Sequence, residues 1–90
     1  MQTKQIEIGA IVYSIAGRDS GKFFAVLEVV NDSFVKIADG ELRRIEKPKL
    51  KKIKHLKVQA EEIPKISEKL KEGKKIFDAE LKSALRFLNG

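Results

Sequence analysis

The sequence predicts a mainly β domain built as a small barrel of five short strands, followed by two short C-terminal α-helices. Short apolar runs separated by turn residues fill the chain up to about residue 58, which is typical of short strands. After Gln59 the apolar residues recur at helical spacing instead. We therefore expect residues 1–59 to form the β-barrel and residues 60–90 to form a helical appendage that packs on the barrel or on a partner.

The first two predicted strands flank a polar loop. Ile6 to Ile15 forms the first strand region and Phe23 to Val30 the second, with Gly17 and Gly21 bracketing the loop between them. Glycine supplies the positive φ that such a turn needs. Both faces of the second strand are largely apolar, so one face should fill the barrel and the C-terminal helices should cover the other.

The remaining strands follow at short intervals. Phe34 to Ala38 is the predicted third strand, Asp39-Gly40 a two-residue hairpin turn, and Glu41 to Ile45 the fourth strand. A basic connection over residues 47–52 then leads to a fifth strand over residues 54–58. Five short strands with tight turns in fewer than about 60 residues predict a small barrel of the SH3-like type.

Two helices are expected after the barrel. The first runs from Ile63 to about Glu72, and the second from Asp78, a plausible N-cap, to Leu88. The second helix carries an apolar stripe that includes Leu81 and Leu85, and it is too short to be stable alone, so it must dock. Phe87 lies off this stripe and favours a partner or a dimer. The two helices are nearly neutral in charge, which argues against a DNA-binding helix-turn-helix.

The composition narrows the class of protein. The chain of 90 residues contains no cysteine, which favours a reducing, intracellular setting and excludes disulfides. Its longest apolar run is far shorter than the roughly 20 residues that cross a bilayer, and residues 1–5 lack the apolar core of a signal peptide. We expect a cytoplasmic protein that does not contact a membrane.

A basic stretch is the strongest purely physical signal. Residues 43–57 contain eight Lys or Arg side chains and one acidic residue, Glu46, within a chain of net charge +6. Most charge runs are simply solvated faces, but a merely soluble surface mixes both signs and so avoids self-repulsion. A polyanion is therefore the predicted partner.

The loop between the first two strands is a second candidate site. Its backbone N–H groups, Arg18 and Lys22 can meet a phosphate, and Ser20 adds a hydroxyl for phosphate or a 2′-OH. The alternative is a turn whose glycines serve geometry only. The loop is not a Walker A motif, because Phe23 follows Gly21-Lys22 where that motif has Ser or Thr. It is also one residue too long for the GXXG clamp of KH domains.

The order of these pieces resembles a known family. An apolar strand, Gly-x-x-x-Gly-Lys over residues 17–22, and a second alternating strand are similar to the KOW motif of several large-subunit ribosomal proteins and NusG-type elongation factors. Ile37-Ala38-Asp39-Gly40 and Lys54-His55-Leu56 fall where the large-subunit ribosomal protein called fourteen-e has comparable stretches. The resemblance covers roughly residues 6–58. It implies an SH3-like barrel, RNA binding and association with the ribosome, although the chain lacks the long basic extensions of many ribosomal proteins.

We therefore expect a non-enzymatic RNA-binding protein, with ribosomal RNA as the partner and a role in the ribosome, its assembly or translation. The alternative is a protein-interaction module of the translation or transcription machinery that uses the barrel surface and the C-terminal helices. No cofactor is expected, and a lone His lacks the companions of a metal site. Tyr13 and Phe34 could stack on unpaired bases, but Phe23, Phe24 and Phe34 are interpreted as core residues, while Tyr13 stays undecided between core and base stacking. The predicted RNA-binding residues are Gly17, Arg18, Ser20, Gly21, Lys22, Arg43, Arg44, Lys47, Lys49, Lys51, Lys52, Lys54 and His55.

Overall fold

A computed structural model describes residues 6–58 and 63–89 of the chain, apart from the side chain of Phe87. It confirms the predicted fold class, a five-stranded antiparallel sheet followed by two helices. The elements are strands β1 (Ile11–Ser14), β2 (Phe23–Val29), β3 (Phe34–Ala38), β4 (Lys49–Lys52) and β5 (Leu56–Val58), a 3-10 helix (Ile53–His55) between β4 and β5, and helices α1 (Pro64–Lys71) and α2 (Asp78–Asn89). The predicted boundary between residues 59 and 60 lies outside the described residues.

The strand order is β4-β3-β2-β1-β5, so the last two strands of the chain form the two edges of the sheet. In a flat sheet of five strands these edges would lie about 19 Å apart. The chain from Lys52 to Leu56 spans at most about 14 Å. The sheet must therefore curl strongly, and the 3-10 helix joins its edges as the predicted barrel requires.

The curled sheet carries an apolar core on each face. The inner core contains Phe24 and Val26 of β2 with Val12, Val35 and Ile37. The outer core is formed by side chains of the sheet and of the segment after it, namely Ile11, Ala25, Ala38, Ile66, Ile76, Leu81 and Leu85. This arrangement confirms the prediction that both faces of β2 are buried, one inside the curled sheet and the other beneath the C-terminal helices. Both helices begin and end within two residues of their predicted limits.

Two predicted strands are longer than the observed ones, because β1 begins only at Ile11 and because Lys54 and His55 belong to the 3-10 helix and not to β5. The predicted fourth strand is wrong in position. Residues 41–45 form no strand, and β4 instead occupies Lys49–Lys52 within the predicted basic connection. Asp39 causes the difference, because its Oδ1 accepts hydrogen bonds from the N–H groups of Glu41 and Arg43, each at 2.9 Å. The Arg43 carbonyl also accepts bonds from both Asp39 and Gly40. These bonds turn the chain into a wide loop over residues 39–48 instead of a two-residue hairpin.

The wide loop is held against α2. The N–H of Ile45 donates a hydrogen bond of 2.8 Å to Oδ1 of Asp78, the first residue of α2. The predicted N-cap carboxylate is thus bonded to the loop. A Cβ atom added to Gly40 would overlap the carbonyl oxygen of Asp78, so the loop backbone lies directly on the helix.

Neither α1 nor α2 is long enough and apolar enough to cross a membrane, and no other helix of the described residues is.

Candidate functional site

The loop between β1 and β2 is a compact turn. Gly17 and Gly21 adopt positive φ angles of 87° and 88°, as the sequence predicts. The N–H of Ser20 donates to the Gly17 carbonyl at 3.2 Å, and the N–H of Gly21 donates to the Ser14 carbonyl at 2.8 Å. These two N–H groups serve the turn itself, so they are not free to meet a phosphate. Arg18, Ser20 and Lys22 have exposed side chains.

A buried ion pair fixes this loop to β4. The ammonium group of Lys51 lies 2.8 Å from Oδ1 of Asp19 and 2.6 Å from the carbonyl oxygen of Ala16. The Ser14 hydroxyl donates a further bond of 3.0 Å to the same Asp19 oxygen. The side chains of Asp19 and Lys51 are each only 6% exposed, and Lys51 lies across from Val35, which is in the inner core. The pair thus closes one end of the barrel beneath the loop.

The protonation equilibrium of Asp19 reflects this setting. Burial alone would raise the pKa of its carboxyl, but hydrogen bonds from Lys51 and Ser14 and the charges of Lys51 and Lys49 outweigh the burial. The pKa of Asp19 therefore lies below its ordinary value, and the side chain is an anion at neutral pH. Its second oxygen, Oδ2, is buried without a hydrogen-bond partner, so the charge of Lys51 is its main compensation.

The buried pair corrects one predicted site residue. Lys51 was expected on an exposed basic face, but its ammonium group is inside the barrel and contacts Asp19. A substitution of Lys51 by Glu would bury two carboxylates together, so this residue does not belong in a charge-reversal test of RNA binding. The sequence carries no signal of this role, because an acidic residue in a polar loop is ordinarily solvated.

The other predicted basic residues of residues 43–55 reach the surface. Arg44, Lys47, Lys52 and Lys54 are exposed, and Arg43, Lys49 and His55 are half-buried. The basic residues before β4 do not lie together with those after it, because this four-residue strand is about 10 Å long. The basic surface therefore follows β4 from the wide loop to the 3-10 helix. The His55 carbonyl accepts a 2.9 Å bond from the N–H of Ile15 and so ties the 3-10 helix to the end of β1.

Ion pairs involve some basic side chains of the described residues and leave others unpaired. Four ion pairs between exposed or half-buried side chains, Lys36–Glu28, Lys69–Glu80, Lys74–Glu72 and Lys82–Glu41, use lysines outside residues 43–57. In contrast, no ion pair to another described residue involves Arg18 or the seven basic side chains that residues 43–57 keep once Lys51 is set aside. We name these eight side chains the free basic surface: Arg18, Arg43, Arg44, Lys47, Lys49, Lys52, Lys54 and Lys57.

Lys22 has a different environment from the rest of the predicted loop site. It lines a shallow polar groove of about 380 Å³ together with Asp39 and Glu41, and with Arg86 and Asn89 of α2. Asn89 bonds the backbone of the neighbouring Phe23 in both directions, at 2.8 and 3.1 Å. Lys82 also lines the groove, so three cations face two acids there, and Lys22 lies beside α2.

The aromatic residues take three different places. Phe24 is fully buried in the inner core, and Phe23 is half-buried against the outer core. The ring of Tyr13 packs on that of Phe23, with ring centroids 4.9 Å apart. Phe34 is half-buried but belongs to neither core, so its predicted core position is wrong.

Phe34 lines a groove that the sequence analysis missed. The groove has a volume of about 510 Å³, and its lining residues are Asp32, Ser33, Phe34, Lys52, Ile53 and Lys54. Lys52 lies directly across from Phe34 in the pairing of β3 with β4, so the two side chains share one face of the sheet. The sequence contained a signal of this position. Side chains alternate between the two faces of a strand, so Phe34 lies on the same outward face of β3 as Lys36.

The helices offer less to a protein partner than the sequence suggested. Leu81 and Leu85 of the apolar stripe are buried against the sheet, so this stripe is not free for another protein. The prediction for Phe87 falls on a side chain outside the described part. Phe77, just before α2, is the exposed aromatic of this region at 61%, with the Lys75 ammonium 5.2 Å from its ring centre.

Comparison with known proteins does not add a family to this description, because no protein-family model matches the chain and the search of curated proteins gave no match.

Proposed function

We propose that this protein is a non-enzymatic RNA-binding module whose free basic surface holds the phosphate backbone. The observation that carries the proposal is a local excess of positive charge, since residues 43–57 hold seven exposed or half-buried Lys or Arg side chains and one acidic residue, Glu46. Glu28, Glu41, Glu72 and Glu80 pair with lysines elsewhere, and no side chain of the free basic surface has such a pair within residues 6–58 and 63–89. Lys22, Lys65, Lys75 and Arg86 also lack an ion pair with a described residue, but they lie outside this charge run. Uncompensated positive charge attracts a polyanion, and phosphate contacts supply most of the affinity for nucleic acid.

The distribution of the charges favours backbone contacts along an extended path. The side chains of the free basic surface come from the β1–β2 loop, the wide loop, β4, the 3-10 helix and β5, so they do not form one helical face. A groove-reading helix would concentrate these charges on one helical face. We therefore propose recognition of RNA through its backbone and shape more than through base edges.

The resemblance to the KOW motif supports RNA over DNA and makes ribosomal RNA the first candidate. We place this activity in the cytoplasm, in the ribosome, its assembly or translation. The buried position of Asp19 supports a non-enzymatic role, because the acidic group of the loop holds Lys51 instead of facing a substrate.

The experiment compares two double variants with equal changes in net charge. Arg44→Gln with Lys52→Gln removes two exposed charges of the free basic surface, while Lys65→Gln with Lys75→Gln removes two exposed charges from the helical part. The dissociation constant for an RNA oligonucleotide is measured from low to high salt. We expect the wild type to show a log-log slope of about −3 to −5, and the first variant to lower its magnitude by about 1.4 to 1.8.

The control variant should keep the wild-type slope. Equal loss in both variants would mean that only overall charge matters, and a wild-type slope near zero would refute phosphate binding. A protein that binds a partner through an apolar interface would keep its affinity at about 0.5 M salt.

A further inference from the structure

The groove beside Phe34 combines an aromatic face with cationic side chains. Phe34 is half-buried on β3 and packs in neither core, so neither core requires an aromatic ring at this position. Lys52 and Lys54, which line the same groove, are exposed and take part in no ion pair with a described residue. The groove volume of about 510 Å³ falls within the range of small-ligand sites.

Backbone hydrogen bonds hold the walls of this groove in place. Oδ1 of Asn31 accepts bonds from the N–H groups of Ser33 at 2.8 Å and Phe34 at 2.9 Å. The N–H of Ile53 donates a 2.8 Å bond to the Ser33 carbonyl, which joins the 3-10 helix to the turn before β3. The ring and the two lysines are therefore presented by a preorganised frame, so little conformational entropy is lost when a ligand enters.

We infer that this groove stacks one unpaired RNA base on Phe34, with the flanking phosphates held by Lys52 and Lys54. Aromatic side chains interleaved with cations are how proteins bind single-stranded nucleic acid, because every base has a π-face. The inference rests on the proposed function and deepens it, since it selects unpaired RNA over a continuous duplex, whose stacked bases are not accessible to the ring.

The charges around the groove set the direction in which the nucleotide lies. Asp32 lines one side and carries a negative charge that repels phosphate. Lys52 and Lys54 are cationic, so the phosphates lie towards these two residues and the base lies over Phe34. Free phosphate alone would gain nothing from the ring, which makes a nucleotide the better match to the whole lining.

The test uses Phe34→Leu and a matched control, Phe77→Leu. Both changes remove an aromatic ring that has a lysine nearby, but Phe77 is 61% exposed and lies beside Lys75 before α2. The probes are a short unpaired RNA oligonucleotide of mixed sequence and a blunt RNA duplex of the same length. We expect Phe34→Leu to lose about tenfold in affinity for the unpaired RNA and to bind the duplex as the wild type does. Phe77→Leu should bind both probes unchanged.

Several outcomes would overturn the inference. Equal affinity of Phe34→Leu and wild type for the unpaired RNA would do so, as would an equal loss on both probes. A wild type that binds the duplex alone would refute base stacking and leave the proposed function standing, whereas binding to neither probe would refute both. If Phe34→Leu fails to fold, Phe34→Tyr decides the matter: the retained ring must retain the affinity, and a loss in a folded Tyr variant rejects the stack.

Discussion

The buried pair of Asp19 and Lys51 makes the sharpest stability prediction. Replacing Lys51 by Met keeps an unbranched side chain as far as the ε position and removes the ammonium group with its bonds of 2.8 Å to Asp19 and 2.6 Å to Ala16. Asp19 then stays buried as an anion whose Oδ2 already lacks a partner, leaving Ser14 as its remaining side-chain donor. Removing one member of a buried pair costs about 3 to 5 kcal/mol.

We take about 3 kcal/mol for Lys51→Met, because the loop lies at the surface and can open to admit water. A domain of 90 residues has a total stability of about 5 to 13 kcal/mol, so this loss is a large fraction of it. Urea unfolding followed by far-UV circular dichroism measures the change, and the midpoint should fall by about 1 to 3 M. Lys52→Met is the matched control, because Lys52 is the exposed neighbour of Lys51. Its free energy of unfolding should change by less than about 0.5 kcal/mol.

The interaction itself is tested by a double-mutant cycle. Asp19→Asn alone leaves a buried ammonium without its anion, and the double variant removes both charges together. We expect the double variant to lose about 2 kcal/mol less unfolding free energy than the sum of the losses in the two single variants. Additive losses, or equal effects of Lys51→Met and Lys52→Met, would refute the buried pair as the link between the loop and β4.

Two further predictions concern acid stability and the seat of α2. Because the folded pKa of Asp19 lies below its unfolded value, its contribution to stability is complete above about pH 5 and is lost progressively as the pH falls through the unfolded value of about 3.9 towards the folded one. Asp19→Asn should therefore lose less stability than the wild type between about pH 5 and pH 3 in urea titrations, and a parallel loss would contradict the pKa direction. Gly40→Ala should destabilise the protein by about 2 kcal/mol more than Gly73→Ala in the same assay. Both glycines have positive φ (82° and 74°), but only at Gly40 would an added Cβ meet α2. Equal losses of stability would mean that α2 does not lie against the loop.

Local patterns were sufficient where the structure depends on neighbours in sequence. The alternation in Phe23–Val29 predicts two apolar faces, and the structure places Phe24 in one core and Ala25 in the other. The loop glycines and the limits of both helices follow from short-range rules of the same kind. These features need no knowledge of which distant segment packs against them.

The features that were missed depend on contacts far along the chain. Strand β4 reads Lys-Leu-Lys-Lys and lacks an apolar alternation, because its inward residue is a lysine that meets Asp19 from another loop. The wide loop at residues 39–48 is shaped by the Asp39 carboxylate and by a bond from Ile45 to Asp78, 33 residues away. The groove at Phe34 likewise appears only when the 3-10 helix is brought beside the turn before β3.

The central claim is that the protein binds RNA through its free basic surface and the groove at Phe34. Ultraviolet crosslinking of the protein to RNA in its own cells, with sequencing of the bound RNA and mapping of the crosslinked residues, tests this claim most directly. We expect a dominant peak on large-subunit ribosomal RNA, with crosslinks at Phe34 and in residues 43–57. Recovery of no RNA, or of scattered RNA crosslinked to the helices alone, would contradict it.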